Sequence, residues 1–310
     1  MGCRRPILLG IAGRTVLLVA AVLAFACSGP DEPRAPSPGT GPDAGASGPA
    51  SPGQDGVVHE CRSQFGHIRV RDRGTLRSLI FVRDDGKEAV ETTIDRDSPG
   101  SLVHPYTRTM MASYLFRPEQ ERALLVGLGG GAMVLFLRRF EPELAIDAVE
   151  IDPEVARIAR EYFGVGPDER TEVIVEDAFA YVERTARRYD AIYMDAFLKP
   201  SEETDSTGVP LTLKTIAFYR TLQGLLREGG LVVFNLNRGE HTPRDVDTIR
   251  RAFARTYVFP VSERGNLIVV ASTVPERATR GELLERAEGL DRDARAGFSF
   301  RELVGRLEDN

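Results

Sequence analysis

Through the middle of the chain, short apolar runs alternate with longer stretches in which apolar residues recur every third or fourth position. The first pattern predicts buried strands and the second amphipathic helices, and their alternation predicts an α/β sheet. Strands are expected at Ala123–Gly127, Ala145–Val149, Glu172–Val175, Ala191–Met194, Leu231–Leu236, Thr256–Val261 and Asn266–Ala271. Helices fall between the first six, notably at Pro153–Phe163, Leu213–Arg227 and Pro243–Ala254. Only a short turn, Ser262–Gly265, joins the last two strands, so they are expected to pair antiparallel at one edge of a largely parallel sheet. Pro153 opens its helix where a missing N–H does no harm, and Gly229-Gly230 is expected to cap the helix before the fifth strand.

Ahead of this region, Val57 to Thr93 breaks into shorter apolar runs, among them His67-Ile68-Arg69-Val70 and Leu76 to Val82, with Gly74 and Asp85-Gly86 at the turns. That pattern predicts a small antiparallel sheet of three or four strands. A polar break at Asp95–Gly100 precedes a helix over Leu102–Phe116, which ends before Pro118. The folded part thus divides into a small β-domain (57–100), an α/β domain (101–275) and a charged helical tail (276–310) read as packing.

The first expected strand runs directly into Gly127, Gly129, Gly130 and Gly131, and the second ends on Glu150 and Asp152. Glycines let the backbone turn sharply and approach a ligand, and a helix start offers free N–H groups. An acid about 20 residues on is placed to accept from both hydroxyls of a ribose. Strand, glycine turn, helix, strand and acid together predict a nucleoside crevice across the carboxyl ends of the strands. Gly-Leu-Gly-Gly-Gly-Ala lacks the last glycine of the dinucleotide fingerprint, and no Gly-Lys-Ser/Thr follows, which disfavours a triphosphate loop.

Further candidates lie at the other strand ends. Asp177, before Ala178, is placed to accept from an exocyclic adenine amine while a backbone N–H meets a ring nitrogen; Asp is equally suited to cap the helix that follows. Asp195 ends the fourth strand beside the reacting end of such a ligand. The Ala196–Pro210 loop is a candidate lid, whose acids Glu202, Glu203 and Asp205 read as solvated. His104, Tyr106 and Arg108 precede the first strand, where Tyr106 serves either the crevice or the helix core.

The 310 residues are 42% hydrophobic and 28% charged, with a formal net charge of -6. Arginines interleave with acids and no long basic run occurs, so nucleic acid is not an expected partner. Arg4 and Arg5, the apolar stretch to Ala26, and Ala24-Phe25-Ala26-Cys27 predict a secretory signal over 1–26 with a lipidated Cys27, hence a cell-envelope address. The competing reading is an uncleaved anchor, against which Arg14 counts, or a cytoplasmic protein whose N-terminus is misassigned. Residues 27–56 are rich in Pro, Gly and Ser and read as a flexible tether. Of three cysteines only Cys61 lies in the folded part, where it reads as a small buried apolar residue; four scattered histidines predict no metal site.

These segments resemble the spermidine-synthase-like proteins, which are polyamine aminopropyltransferases. The likeness rests on GLGGGAM, VEIDPEV, EDAF, YDAIYMDAF and VPLTLKTIAFYRTLQGLLREGGLVVFNL, which follow the family's order between Ser63 and Leu236. It implies a seven-stranded methyltransferase-type Rossmann sheet preceded by the small antiparallel β-domain. It implies S-adenosylmethionine or its decarboxylated form as co-substrate, a polyamine as acceptor and no metal, and a homodimer is compatible with it. The resemblance also implies that Glu150 holds the ribose, that Asp177 with Ala178 meets the adenine, and that Gly127, Gly129, Gly130 and Gly131 pass close to the nucleoside.

The acceptor half departs from the family. The Asp of Gly-Gly-Gly-Asp-Gly, which holds the ligand's amino end, is here Ala132. Asp-Ser-Ser-Asp, whose last acid is proposed to deprotonate the amine, is here Asp195-Ala196-Phe197-Leu198. A Tyr-Gln pair becomes Phe65-Gly66, and a His-Glu-Met element aligns with Arg108-Thr109-Met110. A dicationic diamine needs carboxylates to replace its hydration, and its attacking nitrogen needs a base. The resulting expectation is an aminopropyl transferase with an altered acceptor in which Asp195, with Tyr106, orients the amine. The alternatives are an S-adenosylmethionine-dependent methyltransferase and an inactive binding protein of the envelope.

Overall fold

The computed structural model describes residues 55–198, 202–261 and 265–308. The expected signal and nearly all of the tether lie outside the described residues.

Four strands open the fold: β1 (Gly56–Arg62), β2 (His67–Arg73), β3 (Leu76–Val82) and β4 (Glu88–Asp95). They pair antiparallel in sequence order, as a chain of short turns requires. Two short helices follow, α1 (Pro105–Met110) and α2 (Ser113–Phe116), where one helix over 102–116 was expected. The break at Met111-Ala112 lets Ser113 reach the Tyr193 hydroxyl at 2.8 Å and pins α2 to the main sheet.

The main sheet is then built by β5 (Arg122–Val126), α3 (Ala132–Phe140), β6 (Ala145–Glu150), α4 (Pro153–Phe163), β7 (Thr171–Val175), α5 (Ala178–Arg184) and β8 (Tyr189–Met194). It is completed by α6 (Ile216–Gly224), β9 (Leu226–Asn237), α7 (Thr242–Ala252), β10 (Arg255–Pro260) and β11 (Asn266–Ser272). The seven strands lie in the order β10-β11-β9-β8-β5-β6-β7. Pairing is parallel from β9 to β7, while β11 runs antiparallel between β9 and β10. The expected edge pair is present, with β10 outermost.

Successive side chains of a strand point to opposite faces, and both faces of this sheet are covered. Ala123 and Leu125 enter one apolar cluster with α3, α4 and the C-terminal helices α8 (Arg280–Arg292) and α9 (Phe300–Arg306). Leu124 and Val126 enter a second cluster with α5, α6 and α7. Ile68, Val70 and Leu79 of the small sheet join the first cluster, so that sheet packs against the α3 and α4 side of the main sheet.

Gly229-Gly230 does not cap a helix. α6 stops at Gly224, and both glycines lie inside β9, which loops out between the Tyr189–Leu226 and Ala191–Leu231 pairs. Gly229 takes φ +70°, and a Cβ on Gly230 would sit 3.0 Å from the Tyr189 carbonyl oxygen. The pair serves a tight strand entry instead of a helix end.

Candidate active site

Strand order reverses at β5, with β6 on one side and β8 on the other, and the crevice beyond the carboxyl ends of these strands is where an open α/β sheet binds ligands. A cavity of about 510 Å³ occupies that place. Gly127, Gly129, Glu150, Asp177, Ala178, Asp195 and Tyr106 all line it. The volume lies within the usual range for small-molecule sites.

Gly127 has φ +94°, and a Cβ there would lie 2.2 Å from the Asp195 carbonyl oxygen. The turn therefore requires glycine for its conformation and for its contact with the β8 end. Gly127→Ala is expected to cost about 2 kcal/mol or more and to lower the melting temperature by roughly 4–8 °C, read by circular dichroism. A melting curve unchanged from the parent would refute this account of the turn.

Gly130 and Gly131 are placed differently from the other two glycines. Gly130 N–H donates to Thr92 Oγ1 on β4 at 2.9 Å, and a Cβ at this position would meet the Phe163 ring. Gly131, at φ +74°, starts α3 and packs against Val165. Neither lines the cavity; Gly130 seats the turn against the small sheet and Gly131 seats it against the segment after α4.

Glu150 is the clamp of the turn. Its Oε2 accepts from Leu128 N–H at 3.0 Å and its Oε1 from Asp152 N–H at 2.9 Å. Burial pushes this carboxyl up, and those backbone donors act against the rise. Each oxygen keeps a further lone-pair site, so a diol can be met without breaking the clamp. Asp152 caps α4 through Glu154 N–H at 2.9 Å and also accepts from the Ser63 hydroxyl.

Asp177 caps a helix and also lines the cavity. Its Oδ1 caps α5 through Phe179 N–H at 2.8 Å, and the same residue stands in the cavity wall beside Ala178. Asp195 is held from two sides: Asn235 Nδ2 donates to Oδ1 at 2.7 Å, and the Tyr106 hydroxyl lies 3.4 Å from Oδ2. Asn266 Nδ2 donates to Asn235 Oδ1 at 2.8 Å, which fixes the amide with its nitrogen toward Asp195. Burial raises the Asp195 carboxyl to about 6, while Asn235 and Tyr106 restrain the rise. Tyr106 itself is pushed well above its ordinary value by burial and by Asp195 and Glu91, so it remains a hydrogen-bond donor.

Three other candidates part ways. His104 stacks on Tyr106 at 5.9 Å and lines a second cavity, of about 480 Å³, that shares Phe65, Glu91, Tyr106 and Phe197 with the first. Arg108 turns away and donates to the Leu102 carbonyl at 2.6 Å. Asp205, expected to be solvated, is instead half-buried and ion-paired: Lys214 Nζ lies 2.6 Å from it, and Thr207 and Val209 N–H groups donate to it. It braces the loop after Asp195. Cys61 is free and half-buried on β1.

Glu91 was not singled out by the sequence, yet it lines both cavities. Burial, followed by repulsion from Asp195, raises its carboxyl to about 7, with Arg83 acting in the opposite direction. The signal that could have found it is an acid in the last strand of the small sheet, two residues before Thr93 and without a cationic neighbour at strand spacing.

The Spermine/spermidine synthase domain profile matches residues 103–269. A polyamine aminopropyltransferase of Vibrio vulnificus is 32% identical over 247 residues, spanning 78% of this chain and 80% of that protein. Among solved structures, spermidine synthase from Thermotoga maritima shares the fold at a TM-score of 0.53 and 20% identity, over 71% of this chain and 74% of its own. Human methyltransferase-like protein 13, solved with SAH, is similar at a TM-score of 0.57 and 26% identity, over 62% of this chain and 93% of its own. Profile and sequence likeness both run through the strands that carry Glu150, Asp177 and Asp195, and the chain belongs to the spermine/spermidine synthase family.

Proposed function

We propose that the protein is a spermidine synthase-like transferase that moves an aminopropyl group from decarboxylated S-adenosylmethionine to an amine. The observation that carries this reading is the convergence of Glu150, Asp177, Asp195 and Tyr106 on one cavity at the strand-order reversal. The donor's ribose would lie against Glu150 and its adenine against Asp177 and Ala178, which aims the sulfonium end toward Asp195.

The acceptor nitrogen attacks the propyl carbon bound to sulfur. A C–N bond forms as the C–S bond breaks, and its electron pair returns to sulfur to give neutral methylthioadenosine. The nitrogen's proton passes to Asp195, whose raised pKa matches it to accept a proton near neutral pH. Asn235 and Tyr106 keep the carboxylate aimed, so the base is oriented before the amine arrives.

The test is incubation of the protein with decarboxylated S-adenosylmethionine and an amine panel, read by mass spectrometry. Methylthioadenosine with an amine heavier by one aminopropyl unit supports the proposal, and its absence with every amine overturns it. The SAH-bound human relative supports a second reading, methyl transfer from S-adenosylmethionine. Tighter binding of the carboxylated donor in a head-to-head titration would favour that reading.

We further propose a cell-envelope address through lipidated Cys27. Cys27→Ala is expected to abolish metabolic labelling with a fatty acid and to move the protein out of the membrane fraction. Label retained in that variant would refute the assignment.

A further inference from the structure

Glu91 stands where the two cavities meet, and no role has yet been given to it. Along β4 the pairing with β3 runs Leu79–Thr92 and then Ile80–Val90, which makes Glu91 the extra residue of a β-bulge. Bulges re-aim a side chain and recur beside active sites. This one inverts the usual alternation, since Val90 is 51% exposed whereas Glu91 is half-buried. The Tyr106 hydroxyl lies 3.4 Å from the Glu91 carbonyl oxygen and 3.4 Å from Asp195 Oδ2, tying the bulge to the end of β8.

Two carboxylates thus face one small space, where an ammonium would relieve their mutual repulsion. Past them the second cavity changes character. Asn237, Asn266, His104 and Arg83 line it. The other acid of its described wall, Glu88, is held by Arg69 at 2.9 Å and by Arg71, which leaves it no charge to spare for a ligand. A second ammonium at that end would meet a guanidinium and amides, with no further free carboxylate in the described wall, and a cation so placed is disfavoured.

We propose that Glu91 is a positioning residue of the acceptor subsite: with Asp195 it grips the attacking amine, and the cavity beyond selects an acceptor with one cationic end and a neutral or anionic tail. This rests on the transferase reading above and narrows it, because it places α,ω-diamines among the poorer acceptors.

The test is calorimetry on the full chain, in two stages. Methylthioadenosine is titrated first; absence of heat there overturns the transferase reading and this proposal with it. The methylthioadenosine-saturated protein is then titrated with three amines of equal carbon number: 1-aminobutane, 4-aminobutanoate and 1,4-diaminobutane. The expected result is that the diamine binds weakest. Tightest binding by the diamine overturns the proposal and leaves the transferase reading standing.

Glu91→Gln, nearly isosteric, is expected to weaken the preferred amine at least about tenfold and to leave methylthioadenosine affinity unchanged. An unaltered amine affinity, or a loss confined to decarboxylated S-adenosylmethionine, overturns the proposal by moving Glu91 to the donor. Arg83→Gln lies on the second cavity's wall and supplies an independent arm: it is expected to shift preference toward 1,4-diaminobutane, and no shift counts against the selection argument.

Discussion

Asp195→Asn is expected to reduce the rate of aminopropyl transfer by about 10²–10⁴-fold, the usual contribution of a positioned general base. The replacement keeps the shape of the side chain but removes the acceptor for the amine's proton. It also sets an amide against the Asn235 amide that now donates at 2.7 Å. Methylthioadenosine should bind the variant as it binds the parent, because the proposed ribose and adenine contacts lie at the ends of β6 and β7. The expected pattern is therefore a fall in kcat with donor affinity retained, measured by single-turnover mass spectrometry beside calorimetry. A variant with full turnover would remove Asp195 from the chemistry.

The same group sets the pH dependence. Asp195 is raised to about 6 and Glu91 to about 7, so the two titrate as a coupled pair across that window. A base must be ionised to accept a proton, so activity is expected to fall as pH drops through about 7 to about 6. That acid limb should disappear from the residual activity of Asp195→Asn. Persistence of an unchanged limb would assign it to another group.

The second large effect is expected at Glu150. A ribose held by two charge-assisted hydrogen bonds at about 1.5–3 kcal/mol each loses both in Glu150→Ala, so methylthioadenosine affinity should drop by roughly a hundredfold or more. Leu128 and Asp152 N–H groups lose their acceptor at the same time, which slackens the turn. Glu150→Gln separates the two consequences, since it retains one acceptor for the turn and gives up the charge. If Glu150→Ala binds the nucleoside as tightly as the parent, the carboxylate serves the backbone alone.

The strand, glycine turn, helix and acid of 122–152 were legible because each step has a local cause. An apolar run covered on both faces, glycines at positive φ, and an acid at a strand end all show in the residue types themselves. Asp177 and Asp195 followed from counting strand ends. Glu91 did not, because a bulge depends on how β3 and β4 pair, and one extra residue inverts a face that simple alternation assigns to solvent. Gly229-Gly230 misled for a similar reason. Paired glycines after a helical stretch suit a helix end, and only the crowding between β9 and the Tyr189 carbonyl reveals a strand entry. The ion pair of Asp205 with Lys214 joins residues on opposite sides of a loop, and charge spacing along the chain does not display it.

The Thr92–Gly130 hydrogen bond joins two halves of the molecule that the chain order keeps apart. Thr92 follows Glu91 directly, so the strand that delivers the bulged carboxylate is moored to the loop that would cradle the nucleoside. The N-terminal sheet is then a structural wall of the cavity, and trimming it away to obtain a minimal core would open that cavity on the side proposed for the amine. Any rocking of that sheet would widen or narrow the cavity, so its seating would set how closely the proposed donor and acceptor approach.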